Sequence, residues 1–298
     1  MSEPYNHHVV PQFVLRNFAI DEDQHRVTSV FKDGDFAIWM ERPIKGIGWE
    51  PDFYVHGVAE QSISVETEIN RSIETPISQS ETWAKVLEGR SDKLDASDRP
   101  VLYSLVRHLE ARTPHYLQTG DELAEMAADP NSSIPFSDDE REMYAALRSD
   151  PVARKAFFNA MALQDFAQGH ERSVIMVKRS RVRLRCSTTP VLTAPFDAVP
   201  GIDMPLPGMA PFQRLMAIDP HTLVSVVVGD FGGQIFNSEL SDQEAKGWNR
   251  SVAAQFAYFP QVRHMISGAD GLVADLAWAS YDLLRDSPAR KIFKRRRM

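Results

Sequence analysis

The run Asn6-His7-His8-Val9-Val10-Pro11-Gln12-Phe13-Val14-Leu15-Arg16-Asn17-Phe18 constrains this chain more than any other segment. It sets two imidazoles, an amide and a guanidinium into an otherwise apolar stretch. A terminus that frays is usually polar and simple. A run with this content is expected to be anchored and partly buried, so the fold has to take it inside. Pro11 holds the residue before it extended. With a helix starting at Pro11 or just after, Gln12 and Arg16 stand one turn apart and project from one face. The imidazoles then lie just ahead of the helix N-terminus, whose free N–H groups and positive partial charge suit an anion.

The remaining segments follow in an irregular order. Val27 to Phe31 and Phe36 to Trp39 flank Asp33-Gly34, a strong hairpin signal. Ile44 to Tyr54 reads as a loop with one short strand. Residues 59–170 read as helical. Ile69, Ile73, Ile77, Trp83, Val86 and Leu87 recur near helical spacing, and Pro76 predicts a kink or a division into two helices. A helix capped by Ser97 or Asp98 carries the stripe Leu102, Leu105, Val106 and Leu109. Ser137, followed by Asp138, Asp139 and Glu140, starts another helix. Residues 171–236 turn β-like, with a proline-rich stretch at 190–212, and helix returns over 239–259 and 269–285. This order is not βαβ alternation. It predicts an α+β fold, mostly helical, in a single domain over 1–290. An N-terminal β-hairpin and a β-rich segment near 172–230 complete it, and 291–298 forms a basic, solvated C-terminal tail.

Charge and cysteine content narrow the chemistry. Acidic residues outnumber basic ones by 41 to 33, a formal net charge of -8, which argues against a general nucleic-acid coat. One cysteine, Cys186, excludes an intrachain disulfide and a Cys-based zinc cluster. No apolar run is long enough to span a bilayer, and the N-terminus lacks the parts of a signal peptide. A cytoplasmic protein with no membrane partner is the expectation. There is no P-loop, no G-x-G-x-x-G, no G-x-S-x-G and no C-x-x-C. No close His/Glu ligand pair predicts a metal site, and the sequence names no cofactor.

Four constellations carry usable chemistry. His7 or His8 can serve as acid–base group, with Gln12 positioning ligand or water and Arg16 holding an anion. Adjacent histidines in a strand point to opposite faces, so both do not easily serve one site. The alternative is that they bond buried carbonyls while Arg16 pairs with a core carboxylate. Glu66, Asn70 and Glu74 recur at helical spacing, either to orient an imidazole or as a solvated acidic face. His108 and Arg112 share a helix face ahead of Thr113-Pro114, and Arg112 suits a carboxylate or phosphate contact or an internal salt bridge. Arg179, Arg181, Arg183 and Arg185 alternate with Ser180, Val182, Leu184 and Cys186. As one strand this puts all four guanidinium groups on one face, neutralised by a phosphate-rich ligand or by the protein's own acids.

The pattern His-His-x-Val-Pro-Gln-Phe-x-Leu-Arg-x-Phe, set by His7 to Phe18, resembles the signature of the bacterial domain-of-unknown-function family 4238. The resemblance implies a glutamate-bearing helix after Phe53-Tyr54, where Glu66 and Glu74 stand, and a helix ending in Arg-Thr-Pro, matched by Arg112, Thr113 and Pro114. Where the family often reads Thr-Ser-Asp-Asn-Pro-Val, this chain has Thr188 and Thr189 in place of the aspartate and asparagine. Polar motifs so far apart make sense if one pocket gathers them. The leading expectation is an anion-binding pocket for a phosphate-bearing small molecule or nucleic-acid end, with phosphodiester hydrolysis as its chemistry. His7, His8, Gln12, Glu66 and Glu74 would be catalytic, and Arg16, His108, Arg112, Arg183 and Arg185 would bind ligand. The rival is a noncatalytic interaction protein whose polar motifs form a buried network.

Overall fold

The N-terminal run goes inside, as its apolar content requires. In the computed structural model, which describes residues 6–51, 53, 65–132, 134–164, 166–195, 212–229 and 232–296, strand β1 (Asn6–His8) leads through Val9 and Val10 into helix α1 (Gln12–Arg16). Pro11 caps that helix in an extended conformation. The N–H groups of Val9 and Val10 both donate to the Gly48 carbonyl. Gly48 has φ +72°, and a Cβ there would meet the Val10 side chain at 3.1 Å, so the close approach requires glycine. Val14 and Leu15 are both fully buried, but in different cores. Leu15 packs with residues of one sheet and the C-terminal helices, and Val14 with a second sheet and the central helix. One short helix thus joins two apolar cores through neighbouring side chains.

The hairpin forms as the Asp33-Gly34 signal requires. Strands β2 (Arg26–Asp33) and β3 (Phe36–Pro43) pair antiparallel, with Gly34 at φ +56° in the turn. A single 3-10 turn at Ile44–Gly46 leads to the short strand β4 (Trp49–Pro51), which pairs antiparallel with β1 and sets His7 opposite Glu50 and His8 opposite Trp49.

The helical middle is divided as Pro76 demands. Helix α2 (Val65–Ile69) widens into a π turn over Asn70–Glu74, then α3 (Thr75–Ser78) carries Pro76 in its first turn, and α4 (Glu81–Leu87) starts afresh on the Ser80 cap. Proline has no N–H for the α ladder, and π turns arise where that ladder is disturbed. Helix α5 (Arg99–Ala111) starts where expected, with Asp98 at its N-cap and Pro100 in its first turn, but the Asp98 side chain caps none of its N–H groups and instead accepts the Asp95 N–H, closing a capping box around the preceding 3-10 turn. Helices α6 (Pro114–Ala128), α7 (Asp138–Ser149), with its Ser137–Glu140 capping box, and α8 (Pro151–Ala162) follow.

The expectation of a mostly helical chain is overturned by what comes next. Strands β5 (Ser173–Ser180), β6 (Cys186–Ser187), β7 (Val191–Pro195), β8 (Phe212–Asp219), β9 (Thr222–Val228) and β10 (Gln234–Leu240) precede helix α9 (Asp242–Tyr258). Strand β11 (His264–Ile266), helix α10 (Leu272–Trp278), β12 (Tyr281–Arg285) and β13 (Lys291–Arg295) close the order. A five-stranded sheet runs β10-β5-β9-β8-β7, and a six-stranded antiparallel sheet runs β12-β13-β3-β2-β11-β6. The fold is α+β with a large β component. The helix expected over 269–285 stops at Trp278, because Ser280 takes a left-handed φ of +69° and the chain turns into β12. The basic run expected as a solvated tail is a strand instead. β13 pairs with β12 and with β3, and buries Phe293 in the core. The helix start at 59–64 and most of the proline-rich stretch lie outside the described residues. Among the described residues, no helix is long and apolar enough to cross a membrane.

Candidate functional site

Strand alternation separates the two histidines. His7 is buried, whereas the His8 side chain keeps 23% of its surface exposed. His8 faces an open cavity of about 270 Å³ lined by Gln12, Phe13, Glu66, Asn70, Glu74, Thr75 and Ser78. Gln12 reaches it from the first turn of α1, and its Nε2 lies 3.2 Å from His8 Nε2. With the amide donating, that ring nitrogen accepts, and the His8 proton sits on Nδ1. Nδ1 faces Glu66 Oε1 at 3.7 Å, and the same oxygen accepts the His8 backbone N–H at 2.9 Å. Burial pushes the Glu66 carboxyl upward, but the hydrogen bonds from His8, with smaller contributions from the two nearby imidazoles, outweigh it and hold the carboxyl below its ordinary value. Glu66 is therefore a carboxylate that orients the imidazole beside it.

The π turn explains how Glu66, Asn70 and Glu74 share one wall. Four α-helical steps overshoot a full turn by about 40°. Four π-helical steps, at about 4.4 residues per turn, fall short by roughly 30°. The two errors cancel, so Glu74 returns nearly into line with Glu66.

Arg112 stands behind this wall and is only 1% exposed. It is the residue at which α5 ends, Thr113 then caps α6 through the Tyr116 N–H, and Pro114 occupies the first turn. The Arg-Thr-Pro sequence thus has a local logic: one helix stops, the guanidinium turns inward, and the next helix starts. Arg112 donates through Nη1 to Glu74 Oε1 and through Nη2 to the His8 carbonyl. Its Nη1 also lies 3.1 Å from His108 Nε2. Guanidinium only donates, so His108 accepts there and is the neutral Nδ1–H tautomer. One buried cation therefore ties β1, the π turn and α5 together.

The structure gathers His8, Gln12, Glu66 and Glu74 around one cavity with Arg112 behind them, and leaves the other expected residues elsewhere. His7 is buried across the strand. His108 lines a neighbouring, mostly apolar cavity of about 430 Å³ with Ile73, Pro100 and Phe166. Arg16 is exposed on α1 and does not line the cavity. The four alternating arginines do not share a strand face. β5 ends at Ser180, whose hydroxyl bonds the Val182 carbonyl, and only Arg179 lies on it. Arg179 approaches Asp219 at 3.8 Å and Arg181 approaches Glu239 at 3.7 Å. Arg185 is buried against Asp275 at 2.7 Å, the Ser267 hydroxyl and the Asp270 carbonyl. The protein's own acids neutralise these three. Thr188 is buried away from the cavity, donating its N–H to the His264 carbonyl. Phe13, Thr75 and Ser78 line the cavity without having been expected, since single residues of these types carry no sequence signal.

Two carboxylates line the His8 cavity, and the arginines expected to hold an anion are buried, paired or remote. Among the described residues, no group of three or more His, Cys, Asp or Glu side chains is placed to hold a metal. The family model described as "Protein of unknown function (DUF4238)" matches residues 6–190. No curated protein and no solved structure matches the chain.

Proposed function

We propose that this chain, which belongs to the DUF4238 family of proteins of unknown function, uses the His8 cavity to bind a small polar ligand and to move a proton on it, as in hydrolysis. The observation that carries the reading is the order Glu66 carboxylate, His8 Nδ1, His8 Nε2, Gln12 amide. A carboxylate on one ring nitrogen leaves the other as a base facing the cavity. Ligand entry would displace the Gln12 amide from Nε2 and leave it to position ligand or water. The cavity is smaller than the roughly 300–1,000 Å³ of sites for drug-sized molecules, which favours a small ligand.

The wall chemistry favours a ligand that offers hydrogen-bond donors or positive charge over one that carries phosphate. Glu66 and Glu74 present carboxylate oxygens, and Arg112 spends its donors on Glu74 and the His8 carbonyl. A screen of chromogenic esters, amides and phosphodiesters tests the proposal. Turnover of an ester or amide should fall about 10²- to 10⁴-fold in His8→Ala while the melting temperature stays near wild type. Equal turnover in His8→Ala, or turnover of phosphodiesters alone, contradicts it. A noncatalytic reading is favoured by one fact, the full burial of Arg112 as a bridge between three elements. On that reading no probe is turned over, and His8→Ala lowers stability as Arg112 variants do.

A further inference from the structure

The charges around the His8 cavity do not cancel, and the remainder says what the cavity takes. The Glu74 charge is met by Arg112. Arg16 is exposed and lies off the lining. His8 is neutral in the tautomer that accepts from Gln12. Glu66 is a carboxylate, and among the described residues no lysine or arginine pairs with it. The lining therefore carries one unmatched negative charge.

Glu66 divides its two oxygens. Oε1 accepts the His8 N–H at 2.9 Å and faces Nδ1 at 3.7 Å, whereas Oε2 has no hydrogen-bond partner among the described residues. The residue is only 9% exposed, and it lines the cavity. A carboxylate this far out of water holds a single positive charge more strongly than one at the surface, because less solvent screens it. Glu66 stands at one ring nitrogen of His8 and the other ring nitrogen is the base, so little more than the imidazole separates a cation on Oε2 from the reacting bond. Phe13, edge-to-face with Trp83 at 5.2 Å between ring centroids, gives the cavity an apolar side. A volume of about 270 Å³ leaves room for a short acyl group and little more.

We infer that, granted the ligand site proposed above, its substrate is a small amide or ester whose acyl part bears one free ammonium group, as in an α-aminoacyl compound. Glu66 Oε2 takes the ammonium. His8 Nε2 removes a proton from water as the water oxygen bonds to the carbonyl carbon, then returns it to the leaving nitrogen or oxygen as that bond breaks. The products are an amino acid and an amine or alcohol. Ligand-observed NMR titrations near neutral pH test the charge preference with glycinamide, acetamide and malonamate, which place an ammonium, a hydrogen and a carboxylate on the same acyl carbon. Wild type should hold glycinamide about tenfold or more tighter than acetamide, the worth of a hydrogen bond to a charged group, and malonamate most weakly. Glu66→Gln keeps an acceptor for the His8 N–H but loses the charge, and should bring glycinamide to the affinity of acetamide. Absence of saturable glycinamide binding, equal affinity for glycinamide and acetamide in wild type, or a preference that Glu66→Gln leaves intact overturns the inference, even where a neutral ester is turned over through His8. The wild-type series decides alone where Glu66→Gln does not fold. The base role of His8 fails separately, when glycine p-nitroanilide is bound but releases no nitroaniline, which leaves Glu66 as an amine-binding carboxylate and overturns the hydrolytic step.

Discussion

Two buried arginines hold this molecule together, and they do different things. Arg112 and Arg185 are each almost fully buried, and each donates to one carboxylate and to backbone carbonyl oxygen, Arg112 to Glu74 and His8, Arg185 to Asp275 and Asp270. Around Arg185 the neighbours take up both Nη groups and the backbone, and Nε alone is left without a partner among the described residues. Asn249 accepts its N–H, Trp248 donates to its carbonyl, and Ser267 accepts from its guanidinium. Around Arg112 the network stops at an open wall, where Glu74 and Asn70 line a cavity and the His8 imidazole faces out. The same pairing thus serves as an internal clamp in one place and as the back of an open cavity in the other. A buried ion pair is therefore no guide to function until the polar groups beyond it are traced.

The comparison breaks most readily at the arginines themselves. Arg185→Met should lower the unfolding free energy by about 3–5 kcal/mol, because it removes the closest partner of the buried Asp275 carboxylate, and Arg112→Met should cost less, because Glu74 lines an open cavity where water can reach it. Urea denaturation measures both, and a cost below about 1 kcal/mol for either removes it from the structural core. Next comes pH. His264, on β11 beside the Arg185 network, is pushed down to about 4 by burial, with Arg42 and Arg263 adding to the effect. Its unfolded value is near 6.5, so the unfolded state binds the extra proton between the two. Stability associated with His264 is complete above about pH 6.5 and is lost as pH falls toward 4, by about 3 kcal/mol in full. His264→Leu should flatten the thermal-stability profile across that window.

Glu66 gives the cavity side a separate signature. Its folded value is depressed, so its contribution is present above the unfolded carboxylate value of about 4.3 and is lost as pH falls through the folded one. Glu66→Gln should remove part of the acid-side loss below about pH 4.3 and leave the window between 4.3 and 6.5 unchanged. The smallest stability effect belongs to His8→Ala. A partly exposed ring facing a cavity should cost under about 1 kcal/mol, and a larger loss would make His8 part of the clamp.

Local chemistry was legible in the residues, and distant pairing was not. Asp33-Gly34 announced the hairpin, and Ser137 with the acidic residues after it announced a helix start, because each signal is complete within a few residues. The spacing of Glu66, Asn70 and Glu74 pointed to a shared wall, although the π turn that restores their alignment has no visible sequence mark beyond Pro76. Leu272, Leu276, Leu283 and Leu284 imitate a helix, but the last two lie on a strand, where Leu284 is 57% exposed. The basic run at 291–295 looked like a tail because one of its two partners, β3, lies some 250 residues earlier and the other, β12, was read as helix. The alternation of four arginines imitated a strand, but Arg185 turns inward to an aspartate on α10, a partner no local pattern reveals. Arg16 failed for the opposite reason: helical spacing gave it the face of Gln12, but α1 is one turn long and its end is exposed.

His8 faces the open cavity, whereas His7 and His108 are each only 2% exposed. Brief carbethoxylation with diethylpyrocarbonate, mapped by tandem mass spectrometry, tests this contrast most directly. The account predicts rapid modification of His8, with His7 and His108 protected until the chain unfolds. Rapid modification of His7 or His108 in the folded protein, with His8 untouched, would contradict it.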